Sequence, residues 1–337
     1  MAKKKVKPFS VAAVIPAFNA EASLARAIES ALAQTLVPDE IIVVDDGSSD
    51  NTKAEAEKFG DKVRYIRQEN QGPGQARNTG IEAAKSEWVA FLDSDDEWLT
   101  DRLETQIDLV KRNPDLMWLG GNAVNNNDGE ETFRSNPDKA RAGLSGRDFF
   151  DHYLLAVGNR YIIEATNTFL IKKEVFDRVG LFDPTFLRAE DSDMWCRIAF
   201  TFPKFGYVNK PLARFHLDVR NPVLHERRTK AKDGKVFRRL IDKLMPMAKE
   251  SGCEAEFDCY AAWILKESLL QTIFHGHKAD ARETVDRFGR LFPKYVTYGT
   301  YLATVFPTLT SMASKRLVFL YHLAKMEART TRRWTDH

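Results

Sequence analysis

Residues 41–50 read Ile41-Ile42-Val43-Val44-Asp45-Asp46-Gly47-Ser48-Ser49-Asp50. Four β-branched residues in a row, with no polar interruption, predict a strand buried on both faces. Acids, Gly and Ser follow at once, so the chain leaves that strand into a polar loop. Asp50 or Asn51 can then cap a helix over about Thr52–Phe59. The same alternation extends to either side. Val11–Ile15 is a short apolar run ended by Pro16, and Leu24, Ile28, Ala31 and Leu32 recur behind it at helical spacing. Val63–Ile66 predicts a third strand, Gly74 to about Lys85 a helix, and Trp88–Leu92 a fourth strand. Strands alternating with helices of this length predict an α/β fold, a mostly parallel sheet with helices on both faces. Functional loops in such folds lie beyond the carboxyl ends of the strands.

Downstream the pattern is less regular. Leu103, Ile107 and Val110 predict a helix, the polar stretch Asn122–Arg147 a mobile excursion, and Thr166–Ile171 a strand. Glu190–Phe200 predicts a helix with an acidic first turn, and Tyr207–Val208 and Leu212–His216 two short strands. From His225 onward the pattern is helical. The chain has 337 residues, enough for two domains. Charge divides them: residues 221–337 carry 21 Lys+Arg against 13 Asp+Glu, whereas the whole chain is only +2. We therefore expect a body over residues 1–220 and a basic, helical region over 221–337. With 43% apolar and 29% charged residues, the composition is that of an ordinary globular protein rather than a basic nucleic-acid coat. Three scattered cysteines make no disulfide framework or metal knuckle and suit a reducing cytosol. The basic start (MAKKKVKP) lacks an apolar run long enough for export, and the uncharged stretch Tyr295–Ser314 is too polar to predict a membrane span.

Four constellations carry chemistry. Asp45-Asp46-Gly47-Ser48 sits at a strand end, where a carboxylate can accept hydrogen bonds from a base or ribose; the same residues also suit a turn and a helix cap. Asp93-Ser94-Asp95-Asp96 follows the fourth strand. In extended backbone Asp93 and Asp95 share a face, and converging carboxylates call for a cation. Oxygen ligands select a hard ion, Mg²⁺ or Mn²⁺, though acidic surface loops are common. Gln71-Gly72-Pro73-Gly74 forms a tight loop that delivers Arg77 to the first turns of a helix, where it can brace the acidic loops or contact a donor. Glu190-Asp191-Ser192-Asp193 opens a helix; one of its acids can serve as a general base, or all three can simply complement the helix dipole. His216 is a further candidate metal or phosphate contact, or a structural histidine. No phosphate-cradling P-loop is present.

Five segments together resemble family 2 glycosyltransferases with the GT-A fold: Val14–Ala20, Asp39–Thr52, Gly72–Gly80, Phe91–Asp96 and Glu190–Trp195. They occur in that family's order and spacing over residues 8 to about 217. The resemblance implies that Pro16 and Ala17 line the nucleotide base and that Asp46 bonds it, commonly uracil. It implies Asp93 near ribose and metal, Asp95 as direct metal ligand, and Arg77 on the donor side. Asp191 would be the catalytic base, with Glu190 beside it contacting substrate and His216 adding a metal contact. The expected reaction is inverting, Mn²⁺- or Mg²⁺-dependent transfer of a sugar from a nucleotide-diphosphate sugar. The acceptor is expected to be a saccharide or lipid-linked saccharide of a bacterial surface or extracellular glycan. Two rivals stand beside it. A nucleotidyltransferase would bring a Gly-rich, basic triphosphate loop where this chain has Pro16–Ala20. A non-catalytic nucleotide-sugar-binding module would not need both Asp95 and Asp191. The basic tail, with Arg227, Arg228, Lys230, Lys232, Lys235, Arg238 and Arg239 and the aromatic segment Tyr295–Tyr321, suits either a peripheral membrane contact at the inner face of the cell membrane or a packed lid or homo-oligomer contact.

Overall fold

The computed structural model describes residues 8–217 and 234–305. Its first strands and helices follow in strict alternation: β1 (Val11–Ala17), α1 (Leu24–Leu32), β2 (Glu40–Asp45), α2 (Thr52–Glu57), β3 (Arg64–Arg67), α3 (Pro73–Ala83) and β4 (Trp88–Phe91). β5 (Glu97–Trp98), α4 (Arg102–Arg112), β6 (Trp118–Asn127), β7 (Glu130–Phe133), α5 (Pro137–Leu144), β8 (Phe149–Phe150) and α6 (Tyr153–Gly158) come next. They are followed by β9 (Leu170–Lys172), α7 (Glu174–Val179), α8 (Glu190–Thr201) and β10 (Phe205–His216). One sheet takes all the strands, in the order β3-β2-β1-β4-β9-β6-β10-β5, with β7 on β6 and β8 on β10. The β3-β2-β1-β4 half is parallel. Beyond it β9 runs antiparallel to both β4 and β6, so the sheet becomes mixed.

β1 runs through Pro16 rather than stopping at it. Successive residues of a strand address opposite neighbours. The Ala17 carbonyl accepts the Asp46 N–H on the β2 side, so Pro16 faces β4. Pairing with β4 covers only Val11–Val14, so no ladder partner is lost where Pro16 lacks an N–H.

Further expectations change. Tyr207–Val208 and Leu212–His216 are not two short strands but parts of one, β10. The stretch Asn122–Arg147 is ordered: it completes β6, turns into β7 and forms α5. Its start looks unlike a core strand because Gly120 and Gly121 replace apolar side chains. A Cβ at Gly120 would meet Phe169 at 2.7 Å and one at Gly121 would meet Leu212 at 2.4 Å, so neighbouring side chains fill the strand's face. Thr166–Ile171 is split into a 3₁₀ turn over Thr166–Thr168 and the start of β9. Residues 93–96 are a turn closed by the Asp96 N–H on the Asp93 carbonyl (3.1 Å), so extended-strand alternation does not decide which way their side chains point.

The chain divides into two compact units. One comprises Met1–Asn221 and Lys243–Tyr260, the other Pro222–Asp242 and Ala261–His337. The expected boundary after residue 220 therefore needs an amendment, because Lys243–Tyr260 belongs with the body. In the second unit Arg238 is 3% exposed and its guanidinium is held by Asp280, Glu283 and Thr284, so this member of the basic run is an internal ion pair. Arg227, Arg228, Lys230, Lys232 and residues 306–321 lie outside the described residues.

Candidate active site

The loops after β1 and β2 are fastened to each other. The Asn19 N–H donates to Ser48 Oγ (2.9 Å), Ser49 N–H to Asn19 Oδ1 (2.9 Å), and Ala20 N–H to Thr52 Oγ1 (2.8 Å). Pro16 and Ala17 are buried at the strand end, and Phe18 next to them is 38% exposed. Asp45 is fully buried and accepts from the Ser48 N–H and the Tyr65 hydroxyl. Asp46 is also buried. Its Oδ1 accepts from Gln68 Nε2 (2.8 Å) and the Gln71 N–H (2.9 Å), and its Oδ2 from the Gly72 N–H (2.8 Å). A carboxylate has about four lone-pair sites. Asp46 thus spends most of its capacity on shaping the 68–72 loop.

That loop starts α3, and α3 carries Arg77 into the centre. The guanidinium is buried, with Nη2 on Asp93 Oδ1 (2.9 Å) and Nη1 on Glu190 Oε1 (2.9 Å). Burial alone would push its pKa down, but Asp93, Glu190 and Asp191 outweigh it and hold the charge in place. Arg77 therefore ties the acidic turn after β4 to the acidic turn of α8.

In the first of these turns the acids divide. Asp93 faces Arg77, Asp95 is half-buried, and Asp96 is buried under the turn. Asp96 accepts from the His216 N–H (2.8 Å) and from Asn167 Nδ2, while Asn167 Oδ1 accepts the Asp93 N–H (2.8 Å). Burial, then the charges of Asp95 and Asp93, push the Asp96 carboxyl well above its usual range. β10 brings His216 to this turn, but its Nε2 lies 2.6 Å from Glu97 Oε2. Burial pushes the Glu97 carboxyl up, yet Arg214 and His216 together hold it low. The donor set fits a hard divalent ion: carboxylate oxygens crowd closely enough to perturb one another. Among the described residues no three His, Cys, Asp or Glu side chains group as a complete cage. An ion here would take one or two carboxylates and fill its shell from a ligand's phosphates and water.

In the second turn, three acids again have three fates. Glu190 is buried against Arg77, and burial and Asp191 push its carboxyl up. Asp193 is fully buried between Arg197 (2.9 Å) and Lys243 (2.6 Å). Asp191 alone stays half-buried, with Oδ1 accepting the Ser192 N–H (2.7 Å) and Oδ2 3.4 Å from Thr166 Oγ1. The α8 turn begins at Ala189 in a left-handed conformation, φ +58°. Sequence reasoning missed Asn167, Lys243 and Glu164, whose partners lie far along the chain and share no motif with them.

The sequence profile described as "Glycosyl transferase family 2" matches residues 12–180. A glycosyltransferase of Rickettsia prowazekii is 33% identical over 55% of this chain and 57% of its own length. The Escherichia coli glucosyltransferase WfgD is 38% identical over 35% of this chain and 48% of its own, and the succinoglycan biosynthesis protein ExoO of Rhizobium meliloti is 50% identical over 28% of each. Across three rickettsial glycosyltransferases the match covers 57%, 34% and 27% of their length. The crystal structure of S. aureus TarS 1–349 in complex with UDP superposes with TM-score 0.62 at 18% identity, over 87% of this chain and 86% of that one, a likeness of fold. With half of its length matched by the profile, and with the mixed α/β sheet and flanking helices of those structures, the chain belongs to glycosyl transferase family 2 and has the GT-A fold.

Proposed function

We propose that the chain is an inverting glycosyltransferase that moves a sugar from a nucleoside-diphosphate sugar, the nucleoside being uridine, to a hydroxyl of a saccharide or lipid-linked saccharide in bacterial glycan synthesis. The observation that carries this is the division of labour at α8: Glu190 and Asp193 are locked in ion pairs, Glu190 through Arg77 to the Asp93–Asp96 turn, and of the three acids Asp191 alone keeps an accessible carboxylate. WfgD's name specifies UDP-Glc as donor and a diphosphoundecaprenol-linked acceptor, and TarS has been crystallised with UDP and with UDP-GlcNAc. Both support a uridine donor. The nucleotidyltransferase reading loses its support with the family assignment.

The acceptor hydroxyl attacks the anomeric carbon on the face opposite the diphosphate. The new C–O bond forms as the bond to the diphosphate oxygen breaks, and that oxygen keeps the electron pair. Asp191 takes the hydroxyl's proton, because a neutral hydroxyl is a poor nucleophile. Phe18 offers its exposed ring where a base leaves the β1 end, and Asp46 holds the loop opposite. Asp95 with Asp93 would hold Mn²⁺ or Mg²⁺, whose charge, when bound, neutralises that of the leaving diphosphate. His216 would join through Nε2 only by giving up Glu97.

A screen of UDP-sugars for UDP release, with Mn²⁺ or Mg²⁺ added, is the test. Turnover is expected to vanish on chelation, to return with the ion, and to be absent in Asp95→Ala. Full turnover in a chelator overturns the metal assignment, and no turnover with any donor favours the non-catalytic binding module. No helix among the described residues is long and apolar enough to cross a membrane.

A further inference from the structure

Glu164 belongs to no motif, yet it lies against the candidate base. It sits in the segment between α6 and the 166–168 turn, part-buried, and three hydroxyls converge on its carboxylate. Tyr153 donates to Oε1 (2.8 Å), Ser192 Oγ to Oε2 (3.0 Å), and Tyr260 reaches both oxygens (3.3 and 3.5 Å). Tyr153 comes from α6, Ser192 from α8, and Tyr260 from the helix Glu254–Phe274, within the Lys243–Tyr260 segment that joins the body. Ser192 is the residue after Asp191, and its N–H is the one that Asp191 Oδ1 accepts. One residue thus offers its hydroxyl to Glu164 and its amide to Asp191.

We propose that Glu164 is a positioning residue for Asp191: its carboxylate fixes the first turn of α8 through the Ser192 hydroxyl, and the Ser192 amide in turn holds the Asp191 carboxylate. The proposal rests on the reading of Asp191 as base. The charged and titratable groups around Glu164 are Asp191 and Cys196 on α8, Tyr153 on α6, Tyr260 on the helix Glu254–Phe274, and Arg134, whose Nη2 donates to the Glu164 backbone carbonyl. Burial and then Asp191 push the Glu164 carboxyl up to about 7, against the three hydroxyls that pull it down. The group therefore changes charge within the range where a transferase works. An ionised Glu164 accepts the converging hydroxyls on both oxygens, whereas a protonated one turns an oxygen into a donor and loosens the grip on Ser192. Turnover should therefore rise as Glu164 ionises.

The experiment measures UDP release from whichever of UDP-glucose or UDP-N-acetylglucosamine the wild-type chain turns over, from about pH 5.5 to about 8.5. In wild type, kcat is expected to climb along a limb with its midpoint near 7, matching the Glu164 carboxyl. Glu164→Gln keeps the shape and one acceptor oxygen but removes the charge and turns the other oxygen into a donor. It should lower kcat about tenfold, leave KM for the donor within about twofold, and erase that limb, since a positioning residue acts on the rate rather than on donor binding. Tyr153→Phe keeps the carboxylate but removes its shortest donor, so the limb should persist and move up by ~0.5 pH unit or more. This second variant decides the matter even if Glu164→Gln fails to fold. An unchanged limb in both overturns the proposal, as does an unchanged kcat in Glu164→Gln. Asp191→Asn separates the two readings. If it is inactive while the Glu164 variants behave like wild type, the positioning role alone fails. If it turns over like wild type, the base assignment fails first.

Discussion

The loops after β1 and β2 and the first turn of α8 are built from the same kind of residue, clustered carboxylates, and use them in opposite ways. In the former, Asp45, Asp46 and Asp50 accept hydrogen bonds from backbone amides and side chains at most 29 residues away, and the acids are the scaffold. In the latter the acids are the cargo. Glu190 is held by an arginine 113 residues earlier, Asp193 by Lys243 from a much later segment, and Ser192 by Glu164. The backbone differs less. The loop after β2 has Gly47 at φ +79° and the loop after β1 has Asn19 at +50°, while the α8 turn has Ala189 at +58°. A locally closed loop needs little from the rest of the fold to keep its shape. A turn held by distant partners keeps its shape only while the whole body is folded, which suits a base that must be positioned closely but left with one free face.

The largest test of that contrast is Arg77, which spans both acidic turns. Its replacement by Met removes the cation and most of the buried volume remains filled. Glu190 and Asp93 would then face each other without compensation, and breaking a buried pair from one side costs about 3–5 kcal/mol. Urea unfolding should show a loss of that size near neutral pH. The loss should shrink toward low pH, since a protonated Glu190 needs no counter-charge, and the double variant Arg77→Met/Glu190→Gln should recover part of it. A loss under about 1 kcal/mol would mean that the α8 turn does not depend on distant partners.

This contrast also explains what could be read in the sequence. The strand-end acids Asp45, Asp46, Asp93 and Asp95 and the helix-opening Glu190-Asp191 are local patterns, and the chain shows them in a window of ten residues. The central strands of the parallel half, β1, β2 and β4, are legible for the same reason, each holding an apolar run of four residues or more. β6 is not, because Gly120, Gly121 and Asn122 carry no apolar signal: Phe169 and Leu212 fill the space from elsewhere. Asn122 is buried with its amide satisfied by Ser135, a pairing across the β6–β7 turn that composition alone reads as loop. Asn167, Lys243 and Tyr260 share that fate. Each makes its contact with a residue dozens of positions away, and a single sequence carries no trace of such pairs.

A smaller effect is expected at Asp46, on the locally closed side. Asp46→Asn turns one acceptor oxygen into a donor facing the Gly72 or Gln71 amide, and a buried N–H left without a partner costs about 1–3 kcal/mol. Thermal and urea unfolding should both register that loss, and calorimetry with UDP should show weaker binding with it, because the 68–72 loop loses its shape. If affinity falls while stability is untouched, Asp46 acts by contacting the base, and the loop does not need it.

The smallest effect is the one that can break the contrast. Ala189 occupies a left-handed conformation, φ +58° and ψ +19°, directly before Glu190 and Asp191. An L-residue in that region is strained by roughly 1–2 kcal/mol, and glycine is not. Glycine also widens the unfolded ensemble, which costs about 0.4–1 kcal/mol. The two terms oppose each other, and Ala189→Gly should come out slightly more stable, by about 0.5 kcal/mol. Its effect on turnover carries more information. If Arg77, Lys243 and the Glu164–Ser192 pair hold the turn, a looser backbone at its first position changes nothing downstream, and kcat should stay within about twofold of wild type. If kcat drops severalfold while stability rises, the strained alanine itself holds Asp191 in place. The α8 turn would then be a locally determined structure like the loops after β1 and β2, with its distant ion pairs serving stability alone.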